Sequence, residues 1–424
     1  MFPQAILSTL LAAPRVELAM LSPDFWLERL PNAGQAPLRQ PADLPSFNAT
    51  VYERLNIPPL FELPTLLDKA YVAEQISAYT PPDAPRYDGL GRLVDNAAFY
   101  ADHLDPVLAA LPENITPQYA ITTRRTAVRS LPTWDILTYM PGELPIDALQ
   151  ETALDVGQPL AILAHDTSGA WGFALTPLYW GWVPLADLGL TERSTAQAFA
   201  EADDFLMTLS NRGLIGLAQG GGLTPQMGTR LPLVAQTDAH FSVQAPTRAA
   251  DGRLALREGY IHRAEVPHLS QFSVGFQPLN ADSLFRAGFA LLGERYAWGG
   301  ARLGIFGRDC SRFLQDIFAT TGLYLPRNGD EQQIACETLF NFSPNLSLAD
   351  RRAVIVEEAR AGDILVTPGH IMLYLGHISG EPYILHDAGG AFKCVLVSTL
   401  VLDEDNLAGA LLQKLTHLVT VRGA

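Results

Sequence analysis

The chain has 424 residues, a length that corresponds to roughly three domains at about 150 residues each. Its 29 Lys and Arg against 45 Asp and Glu leave a formal net charge of −16, which disfavours binding to nucleic-acid phosphates and to anionic membrane surfaces. With 48% hydrophobic and 17% charged residues, the composition supplies packed cores and excludes a largely disordered chain.

Residues 1–115 are proline-rich, with Pro31, Pro37, Pro41, Pro45, Pro58, Pro59 and Pro64 interrupting helical periodicity. The apolar stretch Ala5–Ala13 has no Lys or Arg before it and reads as a poor secretory signal. A cytoplasmic protein is the literal expectation, with the cell envelope as the alternative. No run approaches the roughly 18 apolar residues of a spanning helix. Short helices are expected at Phe25–Leu30, where Ser22 and Pro23 supply a cap and a first-turn proline, at Leu66–Tyr79 and at Leu90–Ala110. This part reads as a wrapping segment without catalytic residues.

From Tyr119 the pattern becomes short β-like runs separated by Gly- and Ser-bearing turns, at Val156–Leu163, Thr167–Ala174 and Gly181–Pro184. Their order resembles bacterial SH3-like domains and predicts a small antiparallel barrel over 116–190. Weaker echoes at Gly228–Val234, Phe241–Val243 and Glu258–Ile261 predict a second copy over 191–275.

Beyond Leu279 the periodicity turns helical. Asp282–Leu292 is amphipathic and closed by Gly293, and a second helix follows Arg308-Asp-Cys-Ser with Phe313, Leu314, Ile317 and Phe318 as its buried stripe. Cys310 then falls in a first turn, where unsatisfied N–H groups and the helix dipole favour thiolate. Three strands are expected next, over Gly362–Thr367, His370–Gly376 and Glu381–Asp387. Alternation puts His370, Met372 and Tyr374 on one face of the second strand, and His386 near the end of its neighbour. A thiol on a helix, a base on a strand and an orienting group on the next strand is the division of labour of a cysteine nucleophile. Cys336 and Cys394 lack such a setting and read as core residues. The three cysteines do not suggest a disulfide framework.

The succession Tyr296-Ala-Trp-Gly-Gly, Asp309-Cys-Ser, Leu325-Pro-Arg, Gly362-Asp-Ile, His370 and His386 resembles the NlpC family of papain-like bacterial cysteine peptidases that act on cell-wall peptides. The resemblance covers about 276–424. Two SH3-like domains behind an N-terminal segment are similar to an architecture of γ-D-glutamyl-L-diamino acid endopeptidases. It implies an α+β chain: a papain-like domain of helices packed on an antiparallel sheet (276–424), two SH3-like barrels (116–190 and 191–275) and a mostly helical or irregular N-terminal segment (1–115). It further implies Cys310 as nucleophile, His370 as general base and acid, His386 as orienting residue and Tyr296 as an oxyanion partner. Asp309 and Ser311 are implied as pocket-lining residues. In relatives of this architecture the first SH3-like domain closes one end of the cleft, which implies a preference for peptides with free N-terminal L-Ala.

The chain departs from the family's Gly-aromatic-Asp-Cys-Ser-Gly run, having Gly307-Arg-Asp-Cys-Ser-Arg instead. One expectation is that Arg308 or Arg312 pairs with a substrate carboxylate. The partners expected are peptidoglycan stem peptides, with no nucleic acid, no membrane span and a monomeric chain. No cofactor or metal is expected. His370, His377 and His386 with a cysteine lack the short ligand spacings of structural zinc sites. An inactive wall-binding protein, or an amidase or acyltransferase on the same core, are the alternative readings.

Overall fold

The alternating runs after residue 360 are realised as neighbouring strands of one sheet in the computed structural model, which describes residues 3–142, 146–211, 213–262, 271–302, 305–390, 392–401 and 410–423. The chain forms two units. The first comprises residues 1–56, 276–296 and 307–424, the second residues 57–275 and 297–306.

In the first unit, helices α1 (Ala281–Ala290), α2 (Cys310–Ala319), α3 (Gly329–Ala335) and α4 (Leu348–Glu358) accompany six strands. These are β1 (Glu337–Asn341), β2 (Ile364–Thr367), β3 (His370–Ile378), β4 (Glu381–Ala388), β5 (Cys394–Thr399) and β6 (His417–Thr420). Their spatial order is β1-β6-β2-β3-β4-β5, with every neighbouring pair antiparallel. Met372 and Tyr374 of β3 share a core cluster with Ile384 of β4 and Ile355 of α4. Leu385, the next residue along β4, packs on the other side against α1. A Cβ on Gly288 would lie 2.6 Å from a Leu385 methyl and 3.3 Å from the Phe313 ring of α2, so only glycine lets α1 approach this closely. The predicted stripe Phe313, Leu314, Ile317 and Phe318 is fully buried.

Residues 1–56 belong to this unit and are tied to it by polar contacts as well as packing. The Arg39 guanidinium donates to the carbonyls of Val421 and Arg422 at 2.8 and 3.0 Å, and Arg54 to those of Ile334 and Ala335 at 2.7 and 2.9 Å. The Asn48 amide donates to the Gly322 carbonyl and accepts from the Tyr324 N–H, at 2.9 and 3.0 Å. Asn48 lies on a helix, Leu44–Leu55, that the density of prolines hid. Pro45 occupies its first turn, where a missing N–H costs nothing.

In the second unit, two seven-stranded sheets draw their strands from 118–190 and 205–274. Numbered within each sheet by sequence, both have the spatial order 7-1-4-5-6-2-3, so one topology occurs twice. The helix Arg193–Ala200 joins them, and its Ala196 and Phe199 enter a core built from both sheets. The helices Lys69–Ser77 and Asn96–Ala110 pack on the first sheet through Val72, Ile76, Leu104 and Val107, which meet Trp171, Phe173 and Trp182. The helix expected from Leu90 begins only at Asn96. Arg86–Asp88 and Leu93–Val94 pair as a hairpin, and the Asp95 carboxylate caps the helix by accepting the Ala98 N–H at 3.2 Å.

Candidate active site

Asp309 is the N-cap of α2: its backbone is extended and its carboxylate accepts the Arg312 N–H at 3.0 Å. Cys310 is therefore the first helical residue, and it is half-buried. Arg327 grips the Asp309 carboxylate with both terminal nitrogens, at 3.1 and 2.5 Å, and donates to Ser311 Oγ at 2.8 Å. Gln332 of α3 donates to the carbonyls of Ser311 and Pro326, both at 2.8 Å, which ties the Leu325-Pro-Arg loop to the helix start. Asp309 and Ser311 flank the thiol as the motif implied, but both are buried and turn their polar atoms to Arg327. Their observed work is to fix the start of α2.

The sulfur accepts the backbone N–H of Ile371, the second residue of β3, so the thiol lies at the strand end that carries His370. His370 Nε2 is 2.7 Å from His386 Nδ1 on β4, and His386 Nε2 is 3.0 Å from Ser398 Oγ on β5. The two rings meet nearly edge to face, with centroids 5.0 Å apart. His370 is half-buried and His386 is fully buried.

Burial pushes the Cys310 thiol up to about 12, and the negative charges of Asp309 and Asp387 add to the rise. The Ile371 N–H and the Arg327 guanidinium oppose it without cancelling it. The first-turn position is as read from the sequence, but desolvation outweighs its preference for thiolate. Cys336 and Cys394 are buried as well, and burial raises them to about 12 and about 11.

Tyr296 joins the site through an isolated parallel bridge with Arg308 and a backbone bond to the Lys393 carbonyl at 2.9 Å. Its ring lies on the backbone of Gly389, where a Cβ would come within 3.0 Å of Cζ. Burial first, then the nearby Cys310, Asp309 and Asp387, raise the phenol far above its ordinary value, so it stays a proton donor.

The expectation that Arg308 or Arg312 meets a substrate carboxylate is corrected. Arg308 is completely buried; its Nε donates to Asp316 at 2.7 Å and its Nη1 to Glu294 at 2.6 Å. Arg312 Nε donates to the other Asp316 oxygen at 2.6 Å. Both departures from the family run are thus answered inside the protein by an acid one helical turn or two further along α2. Arg327, Asp387 and Ser398 entered no sequence-based assignment. Arg327 was visible as the end of Leu-Pro-Arg and Asp387 as the neighbour of His386, whereas Ser398 carries no local signal.

Residues 293–406 match the NlpC/P60 family and residues 140–184 the SH3b1 type of SH3 domain. The chain is 26% identical over 156 residues to a γ-D-glutamyl-L-lysine dipeptidyl-peptidase of Bacillus subtilis (strain 168). That match takes in 35% of this chain and 42% of the relative's length. Among solved structures, the fold is similar to an NlpC/P60 endopeptidase from Photobacterium damselae subsp. piscicida (TM-score 0.66, 16% identity, 91% of this chain and 92% of that one). It is also similar to an NlpC/P60 family protein from Bacillus cereus ATCC 10987 (TM-score 0.51, 18% identity, 71% of this chain and 98% of that one). Cys310, His370 and His386 all lie within the stretch that matches the NlpC/P60 family.

Proposed function

We propose that this protein is a cysteine peptidase that hydrolyses the bond between γ-D-glutamate and the diamino acid of peptidoglycan peptides, acting on those with free N-terminal L-Ala. The observation that carries this reading is that the Cys310 sulfur is held by the N–H of Ile371, the residue next to His370, whose ring in turn meets His386. The Bacillus subtilis relative, a γ-D-glutamyl-L-lysine dipeptidyl-peptidase, supports the choice of bond. The same topology occurring twice before the catalytic segment supports the two-barrel architecture from which the preference for free L-Ala is drawn.

His370 takes the thiol proton, and the thiolate adds to the γ-carbonyl carbon of D-glutamate. The oxyanion that forms is met by N–H groups at the start of α2 and by the protonated Tyr296 hydroxyl. The His370 imidazolium then gives its proton to the departing amine of the diamino acid, leaving a thioester on Cys310. A water molecule, deprotonated by His370, adds to the thioester carbonyl. Collapse releases the carboxylate of the L-Ala-γ-D-Glu fragment and returns the proton to the sulfur.

The test is incubation of the full chain with L-Ala-γ-D-Glu-diaminopimelate and with its N-acetylated form, followed by mass spectrometry. Free diaminopimelate is expected from the first peptide, little from the second, and none from either with Cys310→Ala. Release that survives Cys310→Ala, or no release by the unaltered chain, would overturn the proposal.

A further inference from the structure

The proposed chemistry requires one ring nitrogen of His370 to hold a lone pair before reaction, and three hydrogen bonds in series, the last of them with a fixed direction, decide which. The Thr399 carbonyl can only accept, and Ser398 Oγ lies 3.1 Å from it, so the single hydroxyl proton of Ser398 points there. Toward His386 Nε2, 3.0 Å away, the same oxygen can then only accept. His386 therefore carries its proton on Nε2 and leaves Nδ1 bare. A bare Nδ1 accepts across the 2.7 Å contact from His370 Nε2, which places the His370 proton on Nε2 and the lone pair on Nδ1.

We infer that Ser398 is a positioning residue: its hydroxyl sets the tautomers of both histidines in series and keeps His370 Nδ1 poised to receive the Cys310 proton. The placement follows from register. In the β4–β5 ladder His386 stands opposite Leu396 and Ser398 opposite Ile384, so Ser398 and His386 are diagonal neighbours on one sheet face. Ser398, Thr399 and His386 are all fully buried, which keeps bulk water from standing in for the hydroxyl. Without that hydroxyl the His386 proton can move to Nδ1 and donate to His370 Nε2. The His370 proton is then driven onto Nδ1, where it blocks the base. The same relay serves the acid step, because a bare His386 Nδ1 accepts the second N–H of the His370 imidazolium.

This inference rests on the peptidase reading for its consequence in rate, but not for its proton positions. In the full chain, Ser398→Ala is expected to lower kcat about tenfold with KM within about twofold, and to shift the acid limb of the kcat–pH profile. Ser398→Thr, which keeps the hydroxyl, should restore both. Histidine-selective ¹⁵N spectra should show protonated Nε2 and bare Nδ1 on both rings of the unaltered chain, and mixed tautomers in Ser398→Ala. An unaltered chain with a proton on His386 Nδ1 overturns the inference whether or not the variant folds. So does a Ser398→Ala protein with unchanged kcat, acid limb and ¹⁵N pattern. If the unaltered chain cleaves no murein peptide but shows the expected ¹⁵N pattern, the peptidase reading fails and the tautomer assignment stands.

Discussion

Asp316 is the acid on which two buried guanidinium groups converge, and removing it separates an internal role for Arg308 and Arg312 from a substrate role. It accepts from Arg308 at 2.7 Å and from Arg312 at 2.6 Å, with side chains 4%, 0% and 10% exposed respectively. Asp316→Ala takes away two charge-assisted bonds and leaves Arg308 to Glu294, whose side chain is 21% exposed. Breaking a buried pair by deleting one partner costs about 3–5 kcal/mol, because the remaining charge stays desolvated. At roughly 2–4 °C per kcal/mol for a unit of this size, the melting temperature should fall by roughly 6–20 °C. Arg308→Met keeps most of the buried volume and leaves Asp316 paired with Arg312, so it should cost less, about 2 kcal/mol. Scanning calorimetry with steady-state hydrolysis of L-Ala-γ-D-Glu-diaminopimelate at 25 °C measures both quantities on the same samples. KM should stay within about twofold in each variant. If Arg308→Met melted like the parent while KM rose tenfold, the guanidinium would be a substrate contact and the internal pairing would not be what holds it.

Two further outcomes are expected. Because burial holds the Cys310 thiol up, His370→Ala should slow its carboxamidomethylation by iodoacetamide near neutral pH by about tenfold or more; equal rates would mean that the sulfur forms its anion unaided. Gly389→Ala places a methyl 3.0 Å from Tyr296 Cζ, so the ring must move. A loss of about tenfold in kcat with little change in KM is expected, and unchanged kcat would remove Tyr296 from oxyanion stabilisation.

Much of the site was readable because the residues that carry it sit where local patterns change. Asp309 before Cys310 is a cap followed by an apolar stripe, and His370 opens a continuous apolar run. The ion network was not readable, since its partners Glu294, Arg308, Arg312 and Asp316 come together through burial rather than through any short pattern. Charged residues near a nucleophile read naturally as substrate contacts until their exposure is known. Ser398 was hidden for a similar reason: a serine in a strand says nothing until register places it diagonal to His386. In the N-terminal part, counting prolines as breakers missed Leu44–Leu55, because position within a helix decides whether proline is tolerated. The repeated 7-1-4-5-6-2-3 order puts the weak second set of β-like runs into the same topology as the first.

The strap formed by residues 1–56 makes the enzyme-like unit discontinuous, with 219 intervening residues of the other unit between its first and second pieces. During synthesis the strap emerges well before the carbonyls of Ile334, Val421 and Arg422 that receive its arginines. Leu10, Trp26 and Val51 must therefore wait, exposed or sheltered elsewhere, until those later segments have been made. A chain trimmed to begin at Phe276 would lack a built-in clamp, and supplying residues 1–56 as a separate peptide is the direct way to ask whether the clamp works in trans.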